Sequence, residues 1–412
     1  MSYQLLIFIL HTFIFAYPLI MCIVWMVGGL IFWYHKELKW PYEIRDVTEW
    51  PPITILVPCY NEAKTIENTC KRLRYLNYPD YRVILIDDGS TDETAKKIES
   101  YVQNIPYYFL VRLNKNQGKA TATNLAIRAA VTTSVVIVID ADAYLEKNAL
   151  KFLVVPFVKH PRIGAVTGNP IPKNRFTFWA KFQAVEFSSI IGLIKRSQRI
   201  WGRILTVSGC ITAYNREVLI EVGGFSPLTA TEDIDITWKI QKACYEVWFV
   251  PQAVGYIQVP SKLKELWKQR CRWALGGWHL LRSHKNVFAK WKWKRLWIVY
   301  LEFFLGTVWA FAFVIGSILW LIGSMLGFLI IPAWHGAILS VLCICQMIVA
   351  LRINNAYDKE LWKCIFWMPW YPLLFYCLMA LAVVRTMPKG VFSRVDMNTG
   401  KWQSPVREKD EG

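Results

Sequence analysis

Asp140 and Asp142 stand one residue apart at the end of the apolar run SVVIVI. Two carboxylates so spaced at a strand end can share a hydrated Mg2+ or Mn2+ with phosphate oxygens, because Mg2+ keeps several waters and takes only one or two carboxylates. Asp pairs also occur at ordinary turns, so this pair alone decides nothing. Asp87-Asp88-Gly89-Ser90 closes another apolar run and reads equally as a helix N-cap. Thr231-Glu232-Asp233, preceded by Gly223, Gly224 and Pro227, is a third acidic group. A helix start with acids in its first turn accounts for it as well as a general base does. Gln269, Arg272 and Trp273 combine a forked phosphate donor with a flat aromatic face, and membrane anchoring is their plain alternative.

The elements that must position these groups are legible from about Ile53 onward. ITILVPCY, YRVILIDDGS, YYFLVRLN and SVVIVIDAD read as strands; NEAKTIENTCKRLRYL, TDETAKKIESYV and GKATATNLAIRAA read as the helices between them. Strand, helix, strand at this spacing predicts an α/β domain on a parallel sheet. Such sheets bind ligands beyond the carboxyl ends of their strands. Tyr60, Asn61 and Glu62 follow the first strand, Asp87 and Asp88 the second, Asp140 and Asp142 the fourth.

The chain carries a net charge of +18 and is 54% hydrophobic, with the apolar residues gathered at its two ends. Leu5 to Tyr34 is almost wholly apolar, longer than a signal-peptide core, and predicts a retained membrane helix. His35, Lys36 and Lys39 follow it, which places the N-terminus outside and the middle of the chain in the cytoplasm of a plasma-membrane protein. From Ser261 to Leu296 eleven Lys or Arg stand against one Glu, interleaved with Trp267, Trp273, Trp278, Trp291 and Trp293. That mixture fits a helix on an anionic membrane surface rather than a nucleic-acid site, since a span follows directly. Two spans are expected between Leu296 and Ala350 with a break near Ile331-Pro332, and another from about Ile365 to Val384. Strict alternation puts the C-terminus outside, whereas Arg385, Lys389, Arg394 and Lys401 argue for inside, leaving four spans against five. Glu302, within a span, either faces a cavity or partner or pairs with Lys294 or Arg295. The ten cysteines form no metal pattern and read as reduced thiols.

VPCYNE, DDGS, NQGKA, DAD, TED and QRCRW occur in this order. The array resembles the processive members of glycosyltransferase family 2, the cellulose, chitin, hyaluronan and poly-N-acetylglucosamine synthases, over about Pro52 to Gly277 and the flanking spans. The resemblance implies a GT-A domain, Rossmann-like with a mostly parallel sheet, inserted between transmembrane helices. The implied organisation is a helix and linker (1–50), the GT-A domain (51–260), basic interfacial helices (261–296), C-terminal spans (297–388) and a polar tail (389–412). It also implies roles. Tyr60, Glu62 and Asp88 hold uridine, Lys119 meets the diphosphate, and Asp140 and Asp142 bind nucleotide and Mg2+ or Mn2+. Asp233 is the base of a single inverting displacement. Glu232, Gln269, Arg272 and Trp273 meet the growing polysaccharide and the diphosphate.

Within the family, AVTGNP, EFSSIIGLIKRSQ, VSGCITAY, ATEDIDITWKIQ and LWKQRCRWALGG look most like bacterial biofilm poly-β-1,6-N-acetylglucosamine synthases, which implies UDP-N-acetylglucosamine as donor, a β-1,6-linked polymer whose synthesis is coupled to export across the membrane, and a small membrane accessory subunit. Leu275 departs from the Gln usual after RWA, and Ile171-Pro172 from an Arg-containing segment after GNP. These departures bear on sugar and linkage, so hyaluronan, chitin or cellulose synthesis, or transfer of one sugar to a lipid carrier, stay open as alternatives. The nucleotide residues are untouched.

Overall fold

A computed structural model of the chain describes residues 3–41, 43–327 and 333–393. It divides into two compact units, one built from residues 40–174 and 203–259, the other from Met1–Lys39, Arg175–Gly202 and Pro260–Ser393. The segment 175–202, inside the stretch expected as one GT-A domain, thus groups with the helices.

The first unit carries β1 (Ile53–Cys59), α2 (Ile66–Leu73), β2 (Tyr81–Asp87), α3 (Thr94–Asn104), β3 (Tyr108–Arg112), α4 (Lys119–Ala129), β4 (Val135–Ile139), β5 (Tyr144–Leu145), α5 (Ala149–Lys159) and β6 (Ile163–Pro172). β7 (Ile211–Asn215), α8 (Arg216–Glu221), α9 (Glu232–Lys242) and β8 (Glu246–Ile257) complete it. The eight strands form one sheet in the order β3-β2-β1-β4-β7-β6-β8-β5. β1 pairs in parallel with β2 and β4, β2 with β3, and β6 with β8. β7 runs antiparallel to β4 and β6, and β5 to β8, so the sheet is mixed with parallel pairing in the majority. The order reverses between β1 and β4, the kind of switch point at which an open sheet leaves a crevice.

Alternation explains why β1 is apolar throughout. Ile53, Ile55 and Val57 pack on one side with Ile66, Cys70 and Ile98 of α2 and α3 and with Leu150 and Leu153 of α5. Leu56 packs on the other with Ala122 and Ala126 of α4 and Ile236 and Ile240 of α9. With helices on both faces, both parities of each central strand must be apolar.

The second unit carries α1 (Tyr3–Phe32), α6 (Phe178–Phe187), α7 (Ile194–Trp201), α10 (Leu263–Ser283), α11 (Lys294–Met325), α12 (Ala333–Asn354) and α13 (Trp370–Phe392). Four helical segments among the described residues are long and apolar enough to cross a bilayer: Ile7–Lys39, Trp291–Met325, Gly336–Asn354 and Trp370–Phe392. The protein is therefore membrane-associated. The expected break at Ile331-Pro332 lies outside the described residues, as does 394–412 of the expected tail, whose first residues are the end of α13.

Polar groups in the spans are met by the segment 175–202. Glu302 of α11 accepts from Trp25 Nε1 of α1 at 3.1 Å and from Gln198 Nε2 of α7 at 3.4 Å, so its partners are protein groups far along the chain. Gln346 donates to Ser189 at 2.8 Å, and Asn354 Nδ2 to the Ser188 carbonyl at 3.0 Å. Arg196, fully buried, pairs through Nε with Glu37 at 2.6 Å and donates through Nη1 to Asn354 at 3.0 Å. The Tyr357 hydroxyl donates to the same Glu37 at 2.6 Å. Arg175 pairs with Asp358. Small residues let these elements approach: a Cβ on Gly28 would stand 2.3 Å from the Ser197 hydroxyl.

Breaking one buried pair strands the other charge, at a cost of about 3–5 kcal/mol. Arg196→Met should lower the thermal midpoint of the detergent-solubilised protein sharply, and Glu37→Gln added to it should restore part of the loss. A single variant as stable as the unaltered chain would show that Glu37 and Arg196 do not hold α1 to α7.

Candidate active site

The turns after β1 and β2 are laced together. Asn61 sits at φ 55°, a left-handed conformation asparagine tolerates. Its N–H donates to Ser90 Oγ at 3.0 Å, and its side-chain oxygen accepts from Thr91 N–H at 2.9 Å. Glu62 N–H donates to Thr94 at 2.8 Å, and the buried Glu62 carboxylate accepts from the Thr65 hydroxyl at 2.8 Å. Tyr60 precedes them, half-buried at the same turn.

The two acids after β2 are spent differently. Asp87 accepts from Ser90 N–H at 3.0 Å and pairs with Arg112 at 3.4 Å. Asp88 accepts from Gln117 N–H at 2.9 Å and Gly118 N–H at 2.8 Å. It therefore caps not its own following helix but the approach to α4. Burial pushes the Asp88 carboxyl up, and those two N–H groups oppose the shift. Gly89 has φ +69°, and a Cβ there would lie 2.6 Å from the Lys115 backbone, so the two turns meet in contact.

That contact delivers Lys119, the first residue of α4, to the acids of two other elements. Its ammonium is paired with Asp140 after β4, stands 3.4 Å from Glu232 at the start of α9, and donates to the Gly209 carbonyl at 3.3 Å. Burial alone would lower its pKa; Asp140 first, then Glu232 and Asp233, outweigh this and hold it above the usual lysine range. Glu232 and Asp233 occupy the first turn of α9, where the helix dipole favours negative charge.

Asp140 and Asp142 face different partners. Asp142 lines a small cleft with Thr65, Asn68, Thr69, Arg72 and Tyr144, and the Arg72 guanidinium lies 3.8 Å from the centroid of the Tyr144 ring. Among the described residues no three His, Cys, Asp or Glu side chains gather as a metal cage. A divalent cation here would take one or two carboxylates, completed by water and phosphate oxygens, which is the donor set Mg2+ accepts.

The segment 203–210 has no role in the sequence pattern, and only 207–210 belong to a motif, VSGCITAY. It is pinned beside α9 by Trp238 donating to the Leu205 carbonyl at 3.0 Å, Val207 N–H to Thr237 at 3.0 Å, and Ser208 N–H to Thr167 at 2.8 Å. A Cβ on Gly209 would stand 3.3 Å from the Asp233 carboxylate. The only signal was a glycine in a Ser-Gly-Cys run ahead of an apolar strand. Ile171-Pro172 ends β6.

Gln269, Arg272 and Trp273 lie on α10 of the helical unit, spaced i, i+3 and i+4 so that they share a face. Arg272 is exposed, Gln269 and Trp273 half-buried. The expected site residues thus fall into two groups, one in each unit.

The chain belongs to glycosyltransferase family 2, whose profile matches residues 54–223. It is 33% identical over 415 residues to a poly-β-1,6-N-acetyl-D-glucosamine synthase of Staphylococcus epidermidis, covering 96% of this chain and 98% of that one. The synthase of the same name from Staphylococcus aureus is 32% identical over 408 residues, with 96% and 98% covered. Among solved structures, a mannosyltransferase from Pyrobaculum calidifontis, in complex with GDP-mannose and Mn2+, superposes with a TM-score of 0.64 at 21% identity over 92% of this chain and 97% of that one. That likeness supports the GT-A fold.

Gly209 tests the geometry of the acids. Gly209→Ala should push the Asp233 carboxylate aside by a few tenths of an ångström and lower kcat about tenfold with donor KM little changed, since small misplacements of reacting groups are costly. Unchanged kcat in purified enzyme would mean that Asp233 has room to spare.

Proposed function

We propose that the chain polymerises N-acetylglucosamine from UDP-N-acetylglucosamine into a β-1,6-linked polysaccharide by processive inverting transfer. The observation that carries this reading is near-full-length similarity to synthases of that name, at 33% identity. The family alone would leave the sugar open.

Residues take the following parts. Tyr60, Glu62 and Asp88 bound the uridine pocket at the carboxyl ends of β1 and β2. Lys119 moves its charge from Asp140 to the diphosphate. Asp140 and Asp142 would hold Mg2+ or Mn2+, which would supply charge neutralisation for the departing diphosphate. Asp233 takes the proton of the acceptor hydroxyl as its oxygen bonds to C1 and the C1–oxygen bond to UDP breaks, inverting the anomeric centre. Glu232 shares the acceptor side. Gln269 and Arg272 meet the product terminus and diphosphate, and Trp273 offers a sugar its ring face.

The sheet unit belongs in the cytoplasm, where Lys36 and Lys39 follow the first span under the positive-inside rule. A sugar polymer cannot cross lipid alone, since each unpaired hydroxyl in hydrocarbon costs about 2–7 kcal/mol. The spans, with a small accessory subunit, supply its passage out of the plasma membrane.

The test is the purified chain in sealed vesicles with its sheet unit outward. UDP release should be fastest with UDP-N-acetylglucosamine, cease in EDTA, and yield polymer cut by a β-1,6-specific hexosaminidase. Faster incorporation of glucose or glucuronate would overturn the sugar, undiminished release in EDTA the metal, and polymer wholly open to added glycosidase export by this chain alone.

Asp233→Asn keeps the shape of the side chain and cannot take a proton. General-base catalysis contributes about 10²–10⁴-fold, and the variant should lose that much kcat while still binding UDP. Near-normal turnover would return Asp233 to the role of a helix-end charge.

A further inference from the structure

Arg270 stands in the wrong place for an ordinary interfacial arginine. On α10, Leu266, Arg270, Ala274 and Gly277 form the buried stripe, and an aliphatic residue would complete it at lower cost. Arg270 is 1% exposed and its partner Glu186, on α6, 0%, with Nη2 and Oε2 2.6 Å apart. Arg272, two residues on, is exposed. The two arginines of QRCRW therefore lie differently: one reaches the surface, and the other is locked inside the protein.

What the locked one touches is Trp273. The Arg270 guanidinium lies 4.2 Å from the centroid of the Trp273 ring, within cation–π distance. Phe187, the neighbour of Glu186, approaches the same ring at 6.4 Å with the planes inclined by 36°. Glu186 and Phe187 together thus fix both the guanidinium and the indole. Among the described residues, no hydrogen-bond partner meets the buried Arg270 Nη1 or Glu186 Oε1.

We propose that Arg270, clamped by Glu186, is a positioning residue that sets the Trp273 ring for the acceptor sugar. The inference rests on the reading of Trp273 as the acceptor platform and extends it to residues that touch no substrate. A planar cation is required: guanidinium stacks flat on an indole while still pairing with a carboxylate, whereas an ammonium only pairs. The clamp acts on acceptor binding and on retention of the growing chain, and leaves the donor alone.

Arg270→Lys tests this in the full-length enzyme, because it keeps the buried charge and loses the planar stack. Thermal midpoint and donor KM should stay close to those of the unaltered chain. The KM for an added N-acetylglucosamine oligosaccharide should rise about tenfold, and the polymer should shorten, as loss of a cation–π contact of about 1–2 kcal/mol implies. Phe187→Leu, which touches the ring without breaking the ion pair, should move acceptor KM in the same direction. Acceptor KM and product length both unchanged in folded Arg270→Lys would overturn the positioning role while leaving the functional reading standing. A fall in thermal midpoint with kinetics per folded molecule unaltered would do the same, assigning the pair to stability. Absence of any polymer from the unaltered chain would overturn both.

Discussion

Mutual repulsion among carboxylates is the constraint on which the sheet unit depends. Asp87, Asp88, Asp140, Glu232 and Asp233 are all carried to strand ends or to one helix start. Each is offset locally. Asp88 spends both oxygens on backbone N–H groups, Asp87 is shared between Ser90 and Arg112, and Glu232 and Asp233 lie against the N-terminal end of a helix. Lys119 then serves Asp140 and Glu232 together. Because Lys119 opens the helix whose approach Asp88 caps, the acid that looks most like a ligand also places the one ammonium in the cluster. Loss of Asp88 would act on Lys119 through the 117–118 backbone.

A comparable problem is solved in the helical unit with buried charge. Glu37–Arg196, Glu186–Arg270 and Arg175–Asp358 each join the segment 175–202 to an element distant in sequence. In a low-dielectric surrounding such pairs confer little net stability over apolar packing, but they make any mispairing expensive. Burial raises the Glu186 carboxyl to about 7, and Arg270 opposes that rise.

Legibility in the sequence followed locality. β1 to β4 and the helices between them could be read because each apolar run ends in its own cluster of turn residues, and the acidic motifs fell where strand ends must be. Glu302 shows the opposite case. Its neighbours in sequence are Lys294 and Arg295, yet its hydrogen bonds come from Trp25 and Gln198, 277 and 104 positions away. Lys195, Arg196 and Gln198 of EFSSIIGLIKRSQ are likewise buried, because their surroundings come from elsewhere in the chain. Antiparallel insertion of β7 was equally hidden, since direction in a sheet is decided by where the chain returns and not by the strand's own residues.

Charge counting connects the cluster to its chemistry. One ammonium, Lys119, faces three carboxylates, Asp140, Glu232 and Asp233, for a formal sum of +1 − 3 = −2. A nucleotide diphosphate adds negative charge of similar size. Two like unit charges about 4 Å apart repel by roughly 4 kcal/mol at the effective dielectric of a partly buried site. If Lys119 turned from Asp140 to a phosphate, that carboxylate's charge would return to the cluster. Moving one proton-bearing amine therefore redistributes the repulsion without removing it. Asp140 and Asp142 would hold a divalent cation, whose charge would offset that repulsion without drawing Lys119 away from its carboxylates.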